Sequence, residues 1–231
     1  MNSLWQKIFS SLLIVVMMAL LGCSGDDKRS PDASPTNISQ NTPAVKPTNS
    51  SSVANSGENI KFKLEGESAA FTLKFEKDGA KLVDANDQEL ARFKVDSQQK
   101  LKIKNSADQV LGYVVTKAGY WKLENAEQSK ELYVLRRQAD GDYKLEDGAN
   151  KEIYRIKARD YGWEIETPTK KSIYKVKIKD NKLSLRNAAD RTVFYTKSKF
   201  IPVAIACFGF DVLTQEQKAA LAYTVNQSGG K

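Results

Sequence analysis

From Ile60 onward, apolar and polar residues alternate in short runs broken by turn-forming residues. Phe71, Leu73 and Phe75 alternate with Thr72 and Lys74. Alternation of period two puts one set of side chains on each face of a strand. A larger unit then recurs: an aliphatic residue in one strand, a polar turn, and a second apolar or aromatic strand. Its anchors are Leu82, Ile103, Leu123, Leu145, Ile165 and Leu185, spaced 21, 20, 22, 20 and 20 residues apart. KLENAEQSKELYVL (Lys122 to Leu135), KLEDGANKEIYRI (Lys144 to Ile156), WEIETPTKKSIYKV (Trp163 to Val176) and LSLRNAADRTVFYT (Leu183 to Thr196) show it directly. KLVDANDQELARF (Lys81 to Phe93) and LKIKNSADQVLGYV (Leu101 to Val114) are looser copies. Each centre holds turn formers, and each flank is rich in Ile, Val, Tyr and Phe, as strands are. A fixed period of this size also fits leucine-rich repeats, but no unit shows their L-x-x-L-x-L pattern. Six hairpins predict about 12 antiparallel strands.

Phe200 to Leu213, FIPVAIACFGFDVL, breaks the alternation. It is apolar on every side, and only Asp211 is charged. A helix hydrophobic all round must be enclosed by protein or lipid, and this one falls short of the roughly 20 residues that span a bilayer. Pro202 suits the first turn, where its missing N–H costs nothing. The expected helix covers about 201–213. Thr214-Gln215-Glu216-Gln217 then reads as a capping box. It opens a shorter helix to about 226, either lying over the barrel mouth with Leu221 and Val225 or continuing the first helix after a bend.

A sheet with one wet face and a helix apolar all round can cover each other if the sheet closes around the helix. About 12 strands enclose more space than side chains fill, because eight already suffice for that. The expected fold is therefore mainly β: a closed antiparallel barrel of hairpin repeats around a central C-terminal helix. This pattern resembles the tubby C-terminal-like superfamily, which includes the LURP-one-related proteins and phospholipid scramblases. The residues carrying the resemblance are the hairpin repeats and Ala206-Cys207-Phe208-Gly209-Phe210-Asp211, which is similar to the scramblase helix. It spans about residues 60–213. No segment reproduces the tubby phosphoinositide motif residue by residue, and no scramblase calcium site is evident.

The N-terminus has a different layout. Lys7 precedes an apolar run from Ile8 to Leu21, as in an export signal. Leu20-Leu21-Gly22-Cys23 resembles the bacterial lipobox. That resemblance implies a signal peptide over 1–22, cleavage before Cys23, and acyl chains on Cys23 that anchor the protein in a membrane of the cell envelope, facing the periplasm. It also implies that Cys23 is unavailable for a disulfide with Cys207. Ser24, where an Asp would favour retention at the inner membrane, points to the inner leaflet of the outer membrane. Residues 24–59 contain Pro31, Pro35, Pro43 and Pro47, many Ser and Asn, and no aromatic residue. Such a segment cannot bury enough apolar surface to order itself, so a flexible tether is expected up to a domain over 60–231.

Composition narrows the chemistry. The 231 residues carry a net charge of +8 and no histidine. Histidine-dependent triads, histidine-ligated zinc and a histidine pH switch are thereby excluded. Without residues 1–22 the charge is +7, since Lys7 is the one charged residue there. Cys207 reads as an inert core residue. Asp211 needs solvent or a barrel cation. The S-x-x-K matches at Ser97–Lys100 and Ser172–Lys175 put Ser and Lys on opposite faces of a strand. No catalytic residue, metal site or cofactor is expected, and an enzyme or lipid transporter is the least favoured reading. The candidate anionic-surface residues are Lys170, Lys171, Lys175, Lys177, Lys179 and Lys182, read as one basic face. Their expected partner is an anionic phospholipid headgroup or another anionic envelope component. The alternative is a structural or assembly lipoprotein docking an envelope protein. Nucleic acid is not an expected partner.

Overall fold

The computed structural model describes residues 58–231; Cys23 and the expected signal peptide and tether lie outside the described residues, apart from the tether's last two. Fourteen strands close into a barrel in which each pairs antiparallel with its neighbours in sequence. In chain order they are β1 (Ile60–Lys63), β2 (Ala69–Glu76), β3 (Gly79–Asp84), β4 (Glu89–Val95), β5 (Leu101–Asn105), β6 (Val110–Lys117) and β7 (Tyr120–Glu124). There follow β8 (Glu131–Arg137), β9 (Tyr143–Asp147), β10 (Glu152–Arg159), β11 (Gly162–Glu166), β12 (Ser172–Lys179), β13 (Lys182–Asn187) and β14 (Thr192–Thr196). The six anchored repeats supply β3 to β14. The two strands beyond the expected 12 form a further hairpin, β1–β2, upstream of the first anchor. All six anchors are buried in the core.

The meander gives the barrel two unlike mouths. The chain enters where β1 begins and leaves the wall where β14 ends, so both lie at one mouth, called here the near mouth. Turns from an odd to an even strand sit at the far mouth, and four of them share one device. A side-chain oxygen accepts from the backbone N–H groups two and four residues on: Asp84 from Asn86 and Gln88, Asn105 from Ala107 and Gln109, Asp147 from Ala149 and Lys151, Asn187 from Ala189 and Arg191. The residue three beyond the Asx takes positive φ, as at Asp87, Asp108, Asn150 and Asp190. These hairpins also carry a register shift beside the turn. Bulges at a barrel rim raise the local twist and help the sheet curl closed.

The interior corrects the helix expectation. The 201–213 segment is not one helix. A short α1 (Pro202–Ala206) runs into a 3-10 turn at Cys207–Gly209, and the chain then bends. Gly209 lies where this turn meets the wall: a Cβ there would sit 3.1 Å from Ile165 Cδ1 and 3.1 Å from Tyr174 Cδ2. The longer helix is α2 (Gln215–Gln227), opened by the expected Thr214–Gln217 capping box. It does not cover a mouth but runs back through the barrel, buried from Ala219 to Asn226. Ala219, Ala220 and Ala222 present little bulk, which lets α2 lie beside α1 within one ring of strands. α1 packs on β11, β12 and β13, and α2 on β3 to β7. One contact ties the helices together, and a second satisfies a buried hydroxyl within α2. Asn226 Oδ1 accepts from Ile201 N–H at 3.0 Å, and Thr224 Oγ1 donates to Leu221 O at 2.9 Å. No helix among the described residues is long and apolar enough to cross a membrane. Every wall strand finds both neighbours within residues 60–196, so the domain carries its complete sheet.

Candidate functional site

The six lysines expected to form one basic face do not come together. β12 runs from the far mouth to the near mouth. Lys170 and Lys171 precede it, and Lys179 ends it. Eight residues of strand separate Lys171 from Lys179 by about 26 Å at roughly 3.3 Å per residue. Lys170 takes φ 63 in a far-mouth turn. Lys175 and Lys177 sit half-buried on the outer wall. Lys177 is already engaged: its Nζ lies 2.9 Å from Asp190 Oδ2. That hydrogen bond, helped by the Arg186 charge, holds the Asp190 carboxyl below its ordinary range. Lys179 and Lys182 remain exposed at the near mouth, where Lys182 Nζ stands 5.0 Å from the centre of the Tyr195 ring. A reading along the sequence joined residues that the hairpin separates.

The topology reveals a different basic set. Each even strand delivers a basic residue to the near mouth: Lys77, Lys94, Lys117, Arg137, Arg159, Lys179, and Lys197 after β14. The later spacings, from Lys117 to Lys179, are 20, 22 and 20 residues, so the same repeat that builds the wall places these cations. Arg159 pairs with Glu164 at 2.8 Å, and Lys197 lies 3.9 Å from Glu67. Lys77, Lys94, Lys117, Arg137 and Lys179 are exposed with no carboxylate within 4.0 Å among the described residues. Lys61 and Lys199 stand exposed where the chain enters and leaves the wall. Glu58, Asp78, Asp96, Asp140, Asp160 and Asp180 lie at the same mouth and offset most of these cations. At the far mouth the unpaired Lys130, Lys151, Lys170, Lys171 and Arg191 stand among Asp84, Glu127, Asp147 and Glu216, while Glu65 and Glu67 of the β1–β2 turn lie beside Lys182 and Lys197. The outer wall between the mouths is a mosaic of ion pairs, including Lys81–Glu76, Arg92–Glu89, Lys122–Glu131 and Arg136–Glu146. The near mouth therefore keeps a small excess of exposed cations over carboxylates. The period of the basic residues was readable in the sequence. What hid it was the assignment of each one to a strand end.

Asp211 sits at the far mouth with its side chain 56% exposed. Tyr174 OH donates to its Oδ1 at 3.1 Å, and Lys218 Nζ lies 3.7 Å from the same oxygen. Burial, then the Asp211 charge, pushes the Tyr174 phenol up from its ordinary value. Tyr133 OH reaches Val212 O at 3.4 Å, and Tyr154 stacks on Phe210 with centroids 5.7 Å apart. Tyr133, Tyr154 and Tyr174 occupy one repeat position in β8, β10 and β12, and together they clamp the bend between the helices. The cluster is a structural latch in which Asp211 meets both solvent and a cation.

Cys207 is fully enclosed, and burial pushes its thiol far above the ordinary range. Its Sγ lies 3.6 Å from Val203 O. A thiol reagent should therefore label Cys207 no faster than the barrel unfolds, with full labelling in denaturant. Rapid labelling in native buffer, followed by mass spectrometry, would show that the interior opens locally. No group of three or more Cys, Asp or Glu among the described residues is arranged to hold a metal ion.

No family model matches the chain. No curated protein matches it. Among solved structures, an X-ray structure of a protein from Arabidopsis thaliana is similar over 66% of this chain and 87% of that chain, with 13% identity and a TM-score of 0.36. A likeness of that degree carries no argument about this chain.

Proposed function

We propose that this protein is a non-catalytic envelope lipoprotein, held at a membrane by acyl chains on Cys23, whose near mouth engages anionic phospholipid headgroups. The observation that carries the reading is the set of exposed, unpaired basic residues at even-strand ends, Lys77, Lys94, Lys117, Arg137 and Lys179, at the mouth where the N-terminal segment joins β1. An anchor upstream of β1 would bring this mouth, rather than the far mouth, toward the lipid. A tether over residues 24–59, as the composition predicts, would have a typical span of roughly 30–35 Å, enough for the barrel to touch the surface or stand away from it. Each cation near an anionic bilayer contributes about 1 kcal/mol, so this set suffices for reversible binding without any deep pocket.

The test is co-sedimentation of residues 24–231, which lack the anchor, with vesicles. Vesicles containing phosphatidylglycerol should pull the barrel down at near-physiological salt, and vesicles of phosphatidylcholine alone should not. Failure on the anionic vesicles would overturn the reading and favour a protein partner in the envelope.

A further inference from the structure

The seam where the barrel closes differs from the rest of the wall. β1 and β14 share one matched pair, Lys63 opposite Tyr195. Beyond it the β1–β2 turn, Glu65 to Glu67, borders a crevice of about 170 Å³ on the outer wall. That is room for about six waters, the scale of a small charged molecule. Tyr195 alternates with the core residue Phe194 and so belongs to the outer face, yet it is only 6% exposed. It is covered because it floors this crevice, with Lys182 Nζ standing 5.0 Å from its ring centre.

Four charges line the crevice, two of each sign: Glu65 and Glu67 from the turn, Lys182 and Lys197 from the wall. They are only loosely spent on one another. Lys197 lies 3.9 Å and Lys63 3.7 Å from Glu67, distances at which exposed ions gain little. Glu65 and Lys182 have no opposite charge within 4.0 Å among the described residues. The two signs also come from different directions. Lys182 opens β13 and Lys197 follows β14, both at near-mouth strand ends, whereas the carboxylates stand on the turn reached from the other end of β1. Thr192, at the start of β14, adds a hydroxyl. A simple anion drawn by the lysines would meet two carboxylates, and a simple cation drawn by the carboxylates would meet two lysines. A molecule carrying both charges satisfies both sides.

We infer that this crevice binds a phosphoethanolamine group, with its phosphate at Lys182 and Lys197 and its ammonium at Glu65 and Glu67. Lysine meets phosphate as a point charge, and a primary ammonium offers three N–H donors to the two carboxylates, where a trimethylated one offers none. The order of charges matches a lipid headgroup met from the near mouth: phosphate closer to the bilayer, ammonium beyond it. The crevice stands on its own geometry; that its ligand belongs to a bilayer lipid rests on the near mouth facing lipid, as proposed above.

The probe is glycerophosphoethanolamine, the water-soluble head of such a lipid, added to isotopically labelled residues 24–231. Amide resonances of Gly66, Glu67, Thr192 and Tyr195 should shift saturably. Glycerophosphoglycerol, glycerophosphocholine and alanine should bind at least fivefold more weakly. The four charged side chains are exposed, so neutralising them leaves the core intact. Glu65→Gln with Glu67→Gln should erase the preference over glycerophosphoglycerol, and Lys182→Gln with Lys197→Gln should abolish binding of both. No saturable shift, an equal response to glycerophosphoglycerol or alanine, or a preference that survives the glutamate variant overturns the inference. Vesicles identify the source. At constant phosphatidylglycerol, replacing phosphatidylcholine by phosphatidylethanolamine should strengthen sedimentation of the parent but not of the glutamate variant. Soluble binding without that gain overturns the lipid source and assigns the crevice to a soluble ester. Sedimentation with phosphatidylglycerol vesicles while the crevice stays silent removes this inference and leaves the headgroup reading standing. A crevice response without such sedimentation does the reverse.

Discussion

Phe62→Ala should destabilise the barrel by about 3–5 kcal/mol, the usual range for truncating a buried phenylalanine. With total stability on the order of 5–15 kcal/mol, that loss removes a large part of what holds the fold. The reason lies in how the ring closes. β1 meets β14 with Lys63 opposite Tyr195 as the one matched pair, whereas β2 and β3 are matched from Phe71–Asp84 to Glu76–Gly79. The thin seam is backed by side chains instead. Phe62 of β1 stacks on Phe71 at 4.4 Å and meets Phe194 of β14 at 5.4 Å, Phe200 at 5.9 Å and Phe208 of the 3-10 turn at 5.3 Å. One ring thus joins both strands of the seam to the inner helical segment. Urea unfolding gives the size of the effect, and hydrogen exchange gives its place. Amides of β1 and β14 should lose protection first. Leu123→Ala, buried in the opposite wall, should cost about 2–5 kcal/mol without singling out the seam. A loss below about 1 kcal/mol for Phe62→Ala would mean that the seam is held by its backbone after all.

The strand repeat and the barrel were legible because an alternating pattern fixes which side chains face inward, and a constant spacing fixes the hairpin. The anchors Leu82 to Leu185 all lie in the core for that reason. The hairpin of β1 and β2 has the alternation of Phe71, Leu73 and Phe75 but no anchor of its own, so counting anchors gave two strands too few. The inner helices were legible only in part. Phe200 to Leu213 announced its burial by being apolar on every side, but Gly209 and the bend at Phe210 to Leu213 cut the helix short. α2 carries Thr224, Asn226 and several glutamines, which made it look half-exposed. Its burial depends on alanines fitting beside α1 and on polar groups bonded to α1 and to its own carbonyls, and both are properties of the assembled interior. The candidate basic residues failed for a geometric reason. Nearness in sequence between Lys170 and Lys182 crosses a full strand and a turn, while Lys94, Lys117, Arg137 and Lys179 are separated in sequence but delivered to one mouth.

That separation yields the sharpest test of orientation. Reversing Lys94, Lys117, Lys179 and Lys182 to Glu at the near mouth should abolish binding to anionic vesicles. At about 1 kcal/mol per cation, merely removing four would weaken binding by about 4 kcal/mol, on the order of a thousandfold, and reversal adds repulsion. Reversing Lys130, Lys151, Lys170 and Lys171 at the far mouth changes the net charge by the same amount. It should nevertheless alter binding only a fewfold, because over a barrel length of a few tens of ångströms a Debye length near 8 Å screens those charges from the membrane. None of the eight forms an ion pair within 4.0 Å among the described residues, so both variants should keep the parent's thermal stability to within about 1 kcal/mol. Matching losses from the two reversals would show that the barrel responds to net charge alone and binds in no fixed orientation. A near-mouth loss that persists with the Cys23 acyl anchor in place, read as detachment of the barrel from the bilayer surface by neutron reflectivity, would show that the near-mouth cations set how the anchored protein stands on its membrane.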